Sequence, residues 1–93
     1  MITSMVLLNV ERKKVNEVAE QLSAMEGITE VYSVAGRYDL VAIVRVKDSA
    51  DLSEIVTRHL LKVDGITRSE TLMAFRVFSK HDLERMFAIG LDK

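Results

Sequence analysis

The chain has 93 residues, 48% of them apolar and 29% charged, with a formal net charge of −1 and no cysteine or proline. A domain this small buries only roughly 60–65% of its unfolded surface, so an oligomer interface would matter to its stability. No run approaches the roughly 18 apolar residues of a membrane span, nothing at the N-terminus resembles a signal peptide, and disulfides and thiolate metal sites are excluded. We therefore expect a cytoplasmic protein that is not associated with a membrane.

The first segment of the chain predicts a strand followed by a helix. Residues 2–10 form a short apolar run rich in strand-forming residues. Apolar residues then recur at intervals of three and four over residues 12–26, which is typical of one face of an amphipathic helix. Gly27 follows where a helix-ending glycine is expected.

The middle of the chain predicts two strands and a second helix. Residues 28–35 are interpreted as a strand, Gly36-Arg37-Tyr38-Asp39 as a turn, and residues 40–47 as a third strand. Asp48 and Ser49 can cap a helix whose apolar residues again have helical spacing and which ends before Gly65.

The C-terminal part predicts a long strand within residues 66–78 and a short helix over residues 79–91. The segment Met25-Glu26-Gly27-Ile28-Thr29 is echoed 38 residues later by Val63-Asp64-Gly65-Ile66-Thr67. A duplicated strand-helix-strand unit predicts an α+β fold of the ferredoxin-like βαββαβ type with a four-stranded antiparallel sheet. Residues 1–80 then form the domain, and residues 81–93 a helical extension that packs on its own domain or reaches a neighbour.

The predicted strands are apolar on both faces, as in the alternation of Val41 and Ile43 with Leu40, Ala42 and Val44. Two helices cover only one face of a sheet, and the second apolar face marks an interface. A two-fold dimer that packs sheet against sheet would bury this face. The alternative is that the C-terminal helix covers it, but that helix offers few apolar residues, so we predict a dimer.

The basic residues are scattered, and the densest cluster, residues 11–14, is best explained as the solvated start of a helix. Direct binding of nucleic acid would require a more basic face, so we do not expect it.

The sequence offers little for catalysis. His59 has the spacing of a partly buried helix residue, and His81 precedes or caps the last helix. Neither histidine has a partner at metal-ligand spacing, and the chain contains no glycine-rich phosphate loop and no nucleophile elbow. We therefore predict no catalytic residue, no metal and no cofactor.

The turn at residues 36–39 is the most informative candidate site. Backbone geometry alone explains its glycine, but Asp39 places a carboxylate at the rim of the sheet, beside backbone amides. Such a rim suits a zwitterionic ligand, whose carboxylate would meet the amides and whose ammonium would meet Asp39. On the residues alone, an ordinary turn aspartate is at least as good an explanation.

The turn Gly36-Arg37-Tyr38-Asp39, together with Gly65-Ile66 and Glu70-Thr71 in the fourth strand, resembles the effector-binding domain of the Lrp/AsnC (feast/famine) transcriptional regulators. This domain is also called the RAM domain, for regulation of amino acid metabolism, and the resemblance covers residues 2 to about 80. It implies a dimeric α/β-barrel arrangement of two sheets, assembly of dimers into octamers or decamers, and amino-acid effectors bound between dimers.

The resemblance also implies roles for particular residues. The backbone of Gly36, Arg37 and Tyr38 would bind the effector carboxylate, Asp39 would face its ammonium, and Thr71 would complete the polar lining. Val34 and Met73 are candidates for contacts with the effector side chain.

Full-length members of that family carry an N-terminal helix-turn-helix domain, whereas this sequence begins at the first strand, so it resembles the stand-alone effector domain. We expect amino-acid sensing and oligomerisation that regulate amino-acid metabolism or transcription, by mixing with full-length regulators or by modulating an enzyme. One alternative is a small dimeric α/β-barrel enzyme with a pocket inside each subunit, using Tyr38, Asp39 or His81. Another is a pure assembly module in which Arg37 pairs with Asp39.

Overall fold

The computed structural model describes residues 1–78 and Lys80. The elements are β1 (Ile2–Val10), α1 (Val15–Ser23), β2 (Ile28–Ser33), β3 (Leu40–Val46), α2 (Ser49–Glu54) and β4 (Ile66–Met73). A 3-10 turn, Arg12–Lys14, precedes α1, while a π-helical turn, Ile55–His59, and a 3-10 turn, Leu60–Lys62, continue α2. The predicted βαββαβ order is confirmed. The C-terminal helix expected over residues 79–91 lies outside the described residues except for Lys80.

The four strands form one antiparallel sheet in the order β2-β3-β1-β4. The fourth strand ends at Met73 and is therefore shorter than predicted. The physical reason is that β1 is the only strand beside β4 among the described residues, and β1 begins at Ile2. The Ala74 amide still donates to the Thr3 carbonyl at 2.9 Å, but β1 offers almost nothing further to pair with.

The hydrophobic core lies on the face of the sheet that the helices cover. Alternate residues of the two central strands and the inner face of α1 are completely buried there: Val6, Leu8, Leu40, Ala42, Val44, Val18 and Leu22. Burying a side chain of this size stabilises the folded state by roughly 1.5–3 kcal/mol. Apolar residues that recur every second position in the strands and about every 3.6 positions in the helix therefore form the hydrophobic core.

The opposite face of the sheet, called the open face below, is apolar in its centre. Its central side chains, Met5, Leu7, Val41, Ile43 and Leu72, follow from the strand register, which places Met5 between Ile43 and Leu72 and Leu7 beside Val41. Since both helices pack on the other side, Met5 is only half-buried and Leu72 is 43% exposed. The predicted second apolar face exists in the two central strands.

The edge strands give the open face a charged rim. Glu30 of β2 lies opposite Ile43, and Glu70 of β4 lies opposite Leu7. Arg45 lies 3.8 Å from Glu30, and both side chains are nearly half exposed. The open face is therefore an apolar strip between two charged margins.

Among residues 1–78 and Lys80, the helices are all too short or too polar to cross a membrane.

Candidate functional site

The turn at residues 36–39 lies where β1 ends and β3 begins. Its base is held by two backbone hydrogen bonds, from the Val34 amide to the Asp39 carbonyl at 3.0 Å and from the Asp39 amide to the Leu8 carbonyl at 2.9 Å. Gly36 at the tip has a φ of +127°, and nothing lies within 4 Å of the position a Cβ would take. The turn is therefore fixed at its base and open to an approaching molecule at its tip.

The carboxylate of Asp39 is half-buried and bound to the protein's own backbone. Oδ2 accepts a hydrogen bond from the Val10 amide at 2.8 Å. Val10 sits at the irregularity in the pairing of β1 with β4, where an amide needs another acceptor. Asp39 therefore holds the end of β1, while its Oδ1 accepts no hydrogen bond from the described residues.

The side chain of Asn9 adds a second connection between β1 and the turn. Its Nδ2 donates to the Arg37 carbonyl at 2.7 Å. The Arg37 side chain is exposed, and within residues 1–78 it makes no ion pair with Asp39. Pairing of Arg37 with Asp39, the basis of the assembly-module alternative, is therefore not seen in this subunit.

Tyr38 connects the turn with the far edge of the sheet. Its phenol donates a hydrogen bond to the Glu70 carboxylate of β4, on the same face as Leu7. This hydrogen bond, followed by burial, raises the pKa of Tyr38 above its ordinary value. The phenol of Tyr38 therefore belongs to the charged margin of the open face.

Thr71 and Met73 lie on the helix-covered face of β4, opposite Val6 and Ser4 respectively. There they line an apolar cleft of about 270 Å³ together with Leu52 and Val56. Glu70 and Thr71 therefore point to opposite sides of the sheet. The turn residues 36–39 line neither this cleft nor the larger cavity described next.

A larger cavity of about 530 Å³ lies at the opposite end of the sheet, beside Gly27 and the end of β3. We call it the Gly27 cavity. Its lining includes Glu26, Lys47, Asp51 and His59, none of which the sequence analysis named as a site residue. The repeated acid-glycine pair, Glu26-Gly27 and Asp64-Gly65, was the only signal for it. His59, predicted to be partly buried, is exposed here.

In the described part of the chain, no group of three or more histidine, cysteine, aspartate or glutamate side chains is placed to hold a metal ion.

Comparisons with known proteins identify the family. The family model described as the Lrp/AsnC ligand binding domain matches residues 3–83. The HTH-type transcriptional regulator LrpA of Pyrococcus abyssi is 36% identical over 56 residues, which is 60% of this chain and 40% of LrpA. The chain spans about half or less of the curated relatives it matches first, between 39% and 51% of their length.

Solved structures agree with this match. The crystal structure of TTHA0845 from Thermus thermophilus has a TM-score of 0.81 and 42% identity, covering 86% of this chain and all of that one. A Neisseria meningitidis transcriptional regulator in complex with L-Met has a TM-score of 0.75 at 14% identity, covering 84% of this chain and 52% of that one, a likeness of fold alone. This chain belongs to the Lrp/AsnC ligand-binding domain family.

Proposed function

We propose that this chain senses a small amino acid and couples its binding to the assembly of a homo-oligomer. The observation that carries the proposal is the turn at residues 36–39, with open backbone at Gly36 and one oxygen of Asp39 free of hydrogen bonds from the described residues. Membership of a family of effector-binding domains supports a regulatory role. The complex of the Neisseria meningitidis regulator with L-Met makes amino acids the first class to test.

The proposed ligand contacts divide between backbone and side chain. A carboxylate approaching Gly36 meets no obstructing side chain within 4 Å of its Cβ position. The ammonium then binds Asp39 Oδ1, because Oδ2 is occupied by the Val10 amide. Val34 adjoins the turn in its own subunit, whereas Thr71 and Met73 face away from the turn there and complete the lining from a neighbouring subunit.

The proposed dimer packs one open face against the open face of a second copy. Exposed apolar strips of this kind are typical of interfaces, and sheets stacked face to face lie about 10 Å apart with interdigitating side chains. Met5 and Ile43 are then in the centre of the interface, with the charged margins at its rim. Dimers associate further into octamers or decamers, in which the turn lies between dimers, and full-length regulators of the family are candidate partners.

The test is a thermal-shift screen of the twenty amino acids with light scattering on the same samples. A ligand at 100 times its Kd stabilises the folded state by about 2.7 kcal/mol. We expect one or a few amino acids to raise the melting temperature and change the mass of the assembly. If none does and the chain is a stable oligomer, the sensing role is wrong and the assembly-module function replaces it.

A further inference from the structure

We propose that the Gly27 cavity binds a small molecule through an aliphatic ammonium group. Its volume of about 530 Å³ is within the range of roughly 300–1,000 Å³ typical of ligand pockets. It lies beside Gly27 and Val46, at the end of the sheet where Ile2 pairs with Val46, whereas the turn adjoins Leu8 and Leu40 at the other end. The cavity is therefore a separate site from the proposed effector-binding turn.

The internal duplication provides a template for what this cavity binds. The Glu11 amide donates to the Gly65 carbonyl at 2.8 Å, and the Arg45 amide donates to the Gly27 carbonyl at 2.8 Å. In both places, a glycine just before a strand accepts a hydrogen bond from the end of the neighbouring strand. We call these two places the Gly65 corner and the Gly27 corner. The residue before each glycine is acidic, Asp64 in one corner and Glu26 in the other.

In the Gly65 corner, the acid holds an ammonium that the chain itself supplies. Lys14 Nζ binds the Asp64 carboxylate and lies 3.6 Å from Glu11 Oε2. The hydrogen bond to Asp64 raises the pKa of Lys14, and the pKa of Asp64 falls in return. The aliphatic part of Lys14 fills the corner, with its Cδ 2.9 Å from the place where a Cβ on Gly65 would lie.

In the Gly27 corner, Ile55 takes the place of the aliphatic part of Lys14, with its Cδ1 2.6 Å from the place where a Cβ on Gly27 would lie, and it brings no ammonium. Asp51, in the first turn of α2, and Glu26 both line the cavity, and neither side chain has an ion-pair partner within residues 1–78. Glu54 lines it too but is engaged by Arg58 at 3.2 Å. An external ammonium on Glu26 and Asp51 would reproduce the arrangement that Lys14 makes with Asp64.

The other walls of the cavity suit an aliphatic chain. Val46 and Ile55 contribute apolar surface, and Ile55 opens the π-helical turn that ends at His59. Such turns are rare and are frequently found at functional sites. Met1, Arg45 and Lys47 also line the cavity. Arg45 is engaged by Glu30 at 3.8 Å, whereas Lys47 has no ion-pair partner among the described residues and can bind a ligand carboxylate.

The ammonium could come from a free amino acid or from a diamine, and the experiment distinguishes them. We would titrate the full chain, labelled with nitrogen-15, with L-lysine, with cadaverine, which is lysine without its carboxylate, and with hexanoate, which has no amine. Both amines are expected to shift the Gly27 and Ile55 amide signals saturably, and hexanoate is not. If Lys47→Gln weakens the binding of L-lysine but not of cadaverine, the site recognises a carboxylate and its ligand is an amino acid. If Lys47→Gln weakens the binding of neither amine, the site recognises the ammonium alone and its ligand is a diamine.

The matched variants are isosteric; Glu26 is exposed and Asp51 is half-buried in the first turn of α2, so circular dichroism accompanies the titration to show that the fold is intact. Glu26→Gln combined with Asp51→Asn is expected to raise the Kd of both amines about tenfold or more, whereas Glu20→Gln, exposed on α1, leaves it unchanged. Absence of a saturable shift, an unchanged Kd in the double variant, or shifts confined to residues 36–39 would overturn the proposal. Asp39→Asn should not affect this binding, so failure of the effector site would be seen separately.

Discussion

At the scale of single residues, Asp39 combines a structural contact with the proposed binding contact. Asp39→Asn keeps an oxygen for the Val10 amide but removes the charge, so amino-acid affinity should fall about tenfold or more with little loss of stability. Asp39→Ala also removes the acceptor, and the free energy of unfolding should fall by about 1–3 kcal/mol. Calorimetric titration and urea denaturation measure the two effects, with Glu17→Gln on α1 as the control.

The two Asp39 variants separate the two roles. If Asp39→Asn bound the effector as tightly as the wild type, the carboxylate would have no role in binding the ammonium. If Asp39→Ala were as stable as Asp39→Asn, the hydrogen bond to Val10 would contribute nothing to the fold. In either variant, we expect the dimer to persist.

Ser4 is the one fully buried polar residue of the helix-covered face, and its Oγ has no hydrogen-bond partner among the described residues. Leaving a buried hydroxyl unpaired costs roughly 1–3 kcal/mol, so Ser4→Ala should raise the free energy of unfolding by about 1 kcal/mol. Urea denaturation tests this, with Ser69→Ala on exposed β4 as the control. A loss of stability in Ser4→Ala would show that the hydroxyl makes a stabilising contact.

Both tyrosines of the chain donate to carboxylates, Tyr38 to Glu70 and Tyr32 to Glu30, and these hydrogen bonds raise both pKa values. Because the folded-state pKa is raised, the stabilisation of the fold by each tyrosine hydrogen bond is fully present below the unfolded-state pKa. It is lost as the pH rises through the folded-state pKa. An alkaline titration followed by tyrosinate absorbance should therefore have its midpoint above the ordinary value. Glu70→Gln should bring one of the two tyrosines back toward it, and an unchanged curve would contradict the contact.

At the scale of elements, the packing of the π-helical turn beside the end of β3 depends on Gly27. A Cβ there would lie 2.6 Å from Ile55 Cδ1 and 3.1 Å from Val46 Cγ1, whereas a Cβ on Gly36 meets nothing within 4 Å. Both glycines have positive φ, so alanine strains the backbone at each by roughly 1–3 kcal/mol. Gly27→Ala should lose about 1–3 kcal/mol more than Gly36→Ala in urea denaturation. Equal losses would show that Ile55 moves aside without cost.

At the scale of the whole molecule, the open face should govern assembly. A charge at Ile43, as in Ile43→Lys, or at Met5 falls in the centre of the apolar strip, and we expect a monomeric or unfolded chain. Light scattering and circular dichroism distinguish these outcomes, with Glu20→Lys on the exposed side of α1 as the control. A folded Ile43→Lys variant with the mass of the wild-type assembly would exclude this face as the interface.

The match to the Lrp/AsnC ligand-binding domain family over residues 3–83 confirms the resemblance predicted from the sequence. The resemblance depended on the turn at residues 36–39 and on its place between the second and third strands. The relative positions of the candidate site residues could not be predicted from the sequence. Thr71 and Met73 face the helices, while the phenol of Tyr38 contacts Glu70 on the open face.

The order of the elements and the apolar faces of the helices followed from the sequence by itself, because the periods of strands and helices and the positions of the turn glycines are properties of short segments. Other features were decided only by the tertiary structure. The bond from Val10 to Asp39 joins residues 29 positions apart, and β4 ends where β1 offers no further partner. The Gly27 cavity exists because α2 and the π-helical turn meet the end of β3 and the Glu26-Gly27 segment. Contacts of this kind depend on which strands become neighbours, and no local pattern contains that information.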